Sequence, residues 1–393
     1  MVFFLFSNRS FAVSEDFIHL LDTIFNEQPE QHVTQAINEI SVAHQAFSDS
    51  WIAGDIDVIV HHENDALMDN ENYKNWQLGV DFPLWFRAQK QAQKQISLSY
   101  ANELSAQQVY LKWLAAEQLR ELVWAYKSSQ IEVTAARSAL QKSHALLNKV
   151  RQKVAAGESP EIDFLLAKKR VLEQQNNVLH KQSDLSIAQN QFQRWTHTQE
   201  LPEDISERRL SPLPMEEHPK IVYQKANMLI TQAMLQKTRS SKRENPRLFL
   251  GVQNNEDRTT KNTSLMFEVA IPLGINPGFS SRMAQEKRRV YEQQALLDKV
   301  KIQLEQSIFQ AQQKLAAAKQ NIHFSKQQYD ISKKAQAMSE QAYQLGETDI
   351  QNLLRVQQQT ADAKLNYQLA MVRSKQAVAH LNQVSGHIPG VPK

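Results

Sequence analysis

Apolar and polar positions follow two rhythms along this chain. Trp76, Leu78, Val80, Phe82 and Leu84 alternate with Gln77, Gly79, Asp81 and Pro83. Leu265, Phe267, Val269 and Ile271 alternate with Ser264, Met266, Glu268 and Ala270. A period of two predicts strands with one apolar face. A partner run precedes each. Ile56, Val58 and Val60 are opposed by Asp55 and Asp57; Leu248, Leu250 and Val252 are opposed by Phe249, Gly251 and Gln253. Polar loops join each pair, so the pattern predicts two strand hairpins, four strands in all.

The second rhythm is helical. Arg87–Ala156 contains no Gly or Pro and is rich in Ala, Gln, Leu, Lys and Glu, all good helix formers. As one helix it would span about 105 Å. Glu161–Glu200, Phe279–Leu345 and Glu347–Ser385 are equally free of breakers. Apolar residues recur at three and four, as in Leu353 and Val356, then Leu365, Leu369 and Val372. Such stripes suit coiled-coil packing.

Gly157 and Gly346 interrupt these helical runs within similar segments, GESPEIDFLL and GETDIQNLLR. They predict helical-hairpin tips, with Gly ending one helix and Ser159 or Thr348 capping the next. The tips lie 189 residues apart, as do Pro83 and Pro272. The chain is therefore a duplication: 15–198 and 219–386, joined by a Pro-containing linker, 199–218. The strand hairpins cover about 51–86 and 246–277, and the helical hairpins 87–198 and 278–386. Residues 387–393 form a C-terminal tail. Residues 1–14 contain a short apolar run, Val2–Phe6, and read either as a truncated export signal or as an ordinary frayed terminus.

Four strands cannot close a barrel, and an open edge in lipid leaves backbone groups unpaired at several kcal/mol each. A symmetric oligomer supplies the missing strands, and three copies give twelve. Trp51, Trp76, Trp85 and Phe86 lie near strand ends, as in membrane-interface girdles. A soluble sheet half-buried against helices would share the alternation; the duplicated order favours the barrel.

Composition narrows the chemistry. The 393 residues include only 9 Gly and 12 Pro, against roughly 28 and 20 at average usage, so turns are few. Lys and Arg number 45 and Asp and Glu 42, a balance unlike that of a nucleic-acid binder. Absence of Cys removes disulfides, thiolate metal sites and a Cys nucleophile. There is no HExxH, GxSxG or phosphate-binding Gly-rich loop, which argues against an enzyme and assigns no cofactor. His61, His62 and Glu63 form the one tight His/acid cluster. A solvated loop fits them better than a metal site, because neighbours on a strand face opposite ways.

The duplicated order resembles the TolC family of outer-membrane efflux proteins over residues 15–386. The resemblance is carried by GVDFPLWF, EVAIPLGINPG, VAAGESPEIDFLLAKKRVL and the segment YQLGETDIQNLLRVQQQTADAKLNYQLAMVRSKQAVAHLNQVSG. The PLW after the second strand is most like the CzcC branch, which serves heavy-metal efflux. The resemblance implies a mainly α fold with a small β part: a homotrimer whose 12-stranded β-barrel crosses the outer membrane of a Gram-negative bacterium and continues into an α-helical periplasmic tunnel. It implies a passive exit duct in a tripartite pump, with a periplasmic adaptor and an inner-membrane transporter of the RND type as partners. A periplasmic coiled-coil scaffold without channel activity is the alternative.

The adaptor would meet Gly157, Glu158, Ser159, Gly346, Glu347 and Thr348. The family's aperture aspartates, six and nine residues after the second tip Gly, correspond here to Asn352 and Arg355. Asp163 and Leu166 hold those places in the first repeat. An Arg355 contact with Asp163 or Glu161 would latch adjacent hairpins; a simply solvated Arg355 is the alternative. If the apolar strand faces meet lipid, Asp55, Asp57, Asp81 and Glu268 face the lumen.

Overall fold

Seven helices and four strands make up residues 15–65, 67 and 72–390, which the computed structural model describes. The segment 1–14 lies outside the described residues. The order is α1 (Glu15–Glu27), α2 (Gln31–Asp49), β1 (Asp57–Asn64), β2 (Lys74–Pro83), α3 (Arg87–Ala155), α4 (Glu161–Thr196), α5 (Pro219–Ser240), β3 (Arg247–Glu256), β4 (Lys261–Ala270), α6 (Phe279–Leu345) and α7 (Ile350–Val384). The long helices lie within the breaker-free runs; α3 and α6 fill theirs, whereas α4 stops at Thr196 and α7 starts only at Ile350. The chain forms two compact units, and each draws on both repeats: residues 29–110 with 219–301, and residues 15–28 with 111–218 and 302–390.

The first unit holds one antiparallel sheet in the order β1-β2-β3-β4. The two predicted hairpins lie side by side, joined through β2 and β3. Val60 faces Leu78, Leu78 faces Val252 and Val252 faces Leu265, so the apolar positions of all four strands share one face. That face is the exposed one: Val60, Leu78, Val252, Leu265 and Phe267 are all solvent-accessible, Leu265 at 88% and Phe267 at 72%. The opposite face carries the polar side chains, and Asn75 and Asp81 on it are buried. A soluble sheet has the reverse arrangement.

Gly79 and Gly251 are cross-strand partners on the polar face, with the Phe249 ring over both. A Cβ on Gly251 would lie 2.7 Å from Phe249 Cζ and from the Leu78 carbonyl oxygen. The glycines leave room for the ring, and the ring covers the backbone they expose.

Two expectations need correction. His61, His62 and Glu63 are strand residues of β1 and not part of a loop. Strand alternation puts the two imidazoles on opposite faces, and His62 stacks on Trp76 with ring centroids 4.0 Å apart. Asp55 and Ile56 precede β1, which is eight residues long.

The second unit packs α1 against the middle of the long helices. Phe17, Leu21 and Ile24 of α1 join Leu119 and Val123 of α3, Phe192 of α4 and Ala379 of α7 in one core. The linker joins it through Ile205 and through a buried polar cluster. Arg120 makes a two-pronged pair with Glu207, Nε to Oε1 at 2.6 Å and Nη2 to Oε2 at 2.8 Å. Its Nη1 donates to the Gln383 side-chain oxygen and to the His387 carbonyl oxygen. Asn382 donates to Glu207 and to the Arg208 carbonyl oxygen, and accepts from the Leu210 backbone N–H. Trp113 and Gln383 exchange bonds of 2.9 Å in both directions. Gly386, at φ +91°, ends α7 and turns the chain so that His387 and Pro389, expected to be part of a tail, are buried.

Both side chains of the Arg120–Glu207 pair are only 6% exposed. Removing one charge strands the other in a desolvated site, a loss of about 3–5 kcal/mol. Glu207→Gln should therefore lower unfolding stability by about that much, and salt should not mask the effect, because buried charges are weakly screened. Chemical denaturation of the two proteins at low and high salt measures it.

Candidate functional site

The two Gly tips are built alike. Gly157 and Gly346 have φ of +75° and +78°, which glycine adopts without the strain a Cβ brings. At each, one N–H reaches three residues back and the next reaches five: Gly157 to Val154 and Glu158 to Lys153, Gly346 to Tyr343 and Glu347 to Ala342. Both are Schellman closures, which satisfy the last helical carbonyls. A Cβ added at either glycine would meet nothing within 4 Å. The tips are open to solvent, and Glu158 and Glu347 are exposed beside them.

The returning helices are not capped as expected. Pro160 occupies the cap position of α4 and makes no side-chain cap, so Ser159 does not fill that role. At α7 the cap is Asp349, whose side chain accepts from Asn352 N–H at 2.7 Å. Thr348 instead accepts from the Asn352 side-chain amide at 3.0 Å. Arg355 Nη2 in turn donates to Asn352 Oδ1 at 2.7 Å. Thr348, Asn352 and Arg355 thus form a polar ladder along the first turns of α7.

Behind the tips, all four long helices meet in one apolar cluster. Leu146, Leu147 and Val150 of α3 and Val171 of α4 pack with Tyr343 of α6 and Ile350 and Leu353 of α7. Lys153 Nζ sits 5.1 Å from the centre of the Tyr343 ring, a cation–π contact bridging the two hairpins. Burial, with Asp349 across the tip adding repulsion, pushes the Asp163 carboxyl above its usual range. Burial also raises the Tyr343 phenol, with Asp163 contributing.

The structure brings Asp163 close to Asp349 and not to Arg355. Among the described residues no ion pair joins Arg355, on the second helical hairpin, to Asp163 or Glu161, on the first, within one chain. Leu166 packs against the tip cluster.

The four expected lumen acids are not equivalent. Arg247 on β3 holds both Asp81 and Asp57, two members of one cross-strand pair. Asp55 lies outside the sheet, and Glu268 is exposed on β4. The neutralising Arg247 escaped the sequence reading because it begins a strand whose pattern carries no other charge until its end. Arg120, Glu207, Asn382 and Gln383 were missed too. Arg120 gave a signal, as the one cation within the apolar stretch Leu119–Trp124 and its flanking alanines. Among the described residues no group of three or more His or acidic side chains is placed to hold a metal ion.

No family model and no curated protein matches the chain. Solved structures do. The outer membrane protein VceC from Vibrio cholerae aligns at a TM-score of 0.76 and 12% identity, covering 94% of this chain and 96% of that one. A membrane protein from Pseudomonas aeruginosa aligns at 0.75 and 13%, covering 95% and 91%. The CmeC outer membrane channel of Campylobacter jejuni aligns at 0.74 and 10%, covering 95% and 86%. The chain has the fold of these proteins over nearly its whole length.

The Asp163 environment has a pH consequence. A carboxyl whose folded pKa is raised contributes stability at low pH, and that stability is lost as pH rises through the folded value. The tip should therefore tighten on acidification from neutrality toward the carboxylate range. Asp163→Asn should be tight at neutral pH and flatten the dependence. Amide hydrogen exchange in the first turns of α4, corrected for intrinsic rates, measures both.

Proposed function

We propose that this chain is the outer-membrane duct of a tripartite efflux pump, working as a homotrimer of the TolC type. The carrying observation is the inside-out sheet: its apolar face is exposed, and β1 and β4 each leave one edge without a partner among the described residues. An exposed apolar band on strands of eight to ten residues fits the hydrocarbon of a bilayer, where unpaired edges are not tolerated. Three copies pairing β4 to β1 close twelve strands.

The helices support the same reading. Phe324, Ile331, Met338 and Leu345 recur every seven residues on α6 and are 63–72% exposed. Leu165, Leu172 and Leu179 repeat the pattern on α4, also exposed. Heptad stripes of this kind cover themselves against other helices. The solved channels of the same fold are described as outer-membrane proteins, which favours the same location here.

In this reading the open Gly157 and Gly346 tips, with Glu158, Ser159, Glu347 and Thr348, meet the periplasmic adaptor. The energy comes from an inner-membrane transporter, for which the RND type is our choice. Heavy-metal cations are the proposed cargo, on the CzcC-like PLW motif. Arg355 latches to Asp163 or Glu161 of the neighbouring copy at the aperture.

Extraction and sizing test the assembly. The protein should leave the outer-membrane fraction only in detergent and run as a trimer; a folded, water-soluble monomer overturns the proposal. The latch has its own test in planar bilayers. Arg355→Glu should raise single-channel conductance, and adding Asp163→Arg should partly reverse the rise. Unchanged conductance makes Arg355 an ordinary solvated side chain.

A further inference from the structure

We propose that the helical end of the sheet carries a binding site for anionic phospholipid headgroups, centred on Lys94 and Arg239. The proposal rests on the reading that the apolar face of the sheet meets lipid.

The sheet has two chemically different ends. At one, the connections are hairpin loops with more acids than bases: Glu63, Asp65, Glu256 and Asp257 against Lys74, Arg258 and Lys261. At the other, every strand leads to a helix. The segments there carry exposed bases, Arg87 and Lys94 on α3, Arg239 ending α5, Lys242 and Arg243 before β3, and Arg282 on α6. The acids at this end are Asp49, Asp55, Asp57, Asp81, Glu244 and Glu286. Of these, Asp57 and Asp81 are held by Arg247, and Glu286 by Arg289 at 2.7 Å. The excess charge is positive.

Within this belt lies an open groove of about 590 Å³ between the start of α3 and the end of α5. Gln91, Lys94, Gln95, Gln236, Arg239 and Ser240 line it. Two cations with flanking amides and a hydroxyl are what a phosphate diester requires: charge neutralisation and several donors. Ala88 and Ala92 complete the lining and leave room for a glycerol backbone. The field of the belt reaches inward. His44, stacked on Tyr100, is held below its ordinary value, first by burial and then by Lys237.

Depth agrees. Lys94 lies seven residues into α3, about 10 Å along the helix from its start. A headgroup layer extends roughly 5–8 Å beyond the hydrocarbon on each side. Long basic side chains reach back toward it along their apolar stems. The groove lies where α3 leaves β2 and α5 approaches β3, the two central strands of the sheet, so a lipid with its tails on the sheet has its phosphate at the level of the groove. A free phosphate gains nothing from that continuity.

The test uses the purified full chain in phosphatidylcholine bilayers with increasing brominated phosphatidylglycerol. Trp51 and Trp85, both at the helical end of the strands, report lipid proximity by quenching. Basic residues at an anionic surface contribute about 1 kcal/mol each, so the two central ones correspond to a preference of up to about thirtyfold. Wild type should prefer phosphatidylglycerol, less so at high salt. The Lys94→Gln/Arg239→Gln double variant should fall to about parity. Lys94→Arg/Arg239→Lys, which keeps the charges, should retain the preference, as should Lys168→Gln/Lys169→Gln in the other unit.

An unchanged preference in the double variant overturns the proposal. So does an equal loss in the Lys168/Lys169 control, which would make the effect one of net charge. Abolition of the preference by millimolar inorganic phosphate would identify a free-anion site in place of a lipid site. Insertion without any preference removes this proposal alone, whereas failure to enter either bilayer removes the channel reading with it.

Discussion

The buried pairing of Arg120 with Glu207 is the constraint on which the larger unit depends. It ties the segment between the two repeats to α3, and through Asn382 and Gln383 to the end of α7. The linker has almost no regular secondary structure, so its backbone groups need partners from elsewhere. Side-chain amides provide them: Asn382 alone serves Glu207, Arg208 and Leu210. A buried pair of this kind adds little net stability over an apolar substitute, but breaking one half of it is costly. Its role is to fix which loop conformation goes with which helix end.

The sheet obeys a different rule. It buries polar side chains and exposes apolar ones, so its stability in water is poor by construction. What holds it is the ladder of backbone bonds, the Arg247 pairs with Asp57 and Asp81, and Phe249 laid over two glycines. Each of these is local to the sheet. None of them covers the apolar face, and this is what leads to the proposal that lipid does.

Much of this was legible in the sequence. The breaker-free runs give α3 and α6 nearly to the residue and α4 and α7 to within four, because Gly and Pro are scarce enough to mark the boundaries. Alternation gives all four strands and the correct apolar face. What escaped was long-range and polar. Nothing local tells that Arg247 will reach Asp57 and Asp81, or that Arg120 will meet a glutamate 87 residues later. Cap chemistry at the tips was misread for a smaller reason. Ser159, Thr348 and Asp349 are all good cap residues, and one residue of shift in helix start decides among them. The 189-residue spacing reads as two repeats, whereas the compact units combine parts of both, which spacing alone does not disclose.

The unpaired edges of β1 and β4 have a bearing on how such a chain comes to exist at all. A newly made copy presents two open strand edges and an apolar face together, the combination most prone to wrong partners. In the proposed trimer its useful partners are two identical copies and a bilayer, none of which is part of the chain. Formation of the finished sheet is then a many-body event whose speed depends on how many copies are present, while misassociation competes at every concentration. Abundance and escort, more than intrinsic folding rate, would set the yield.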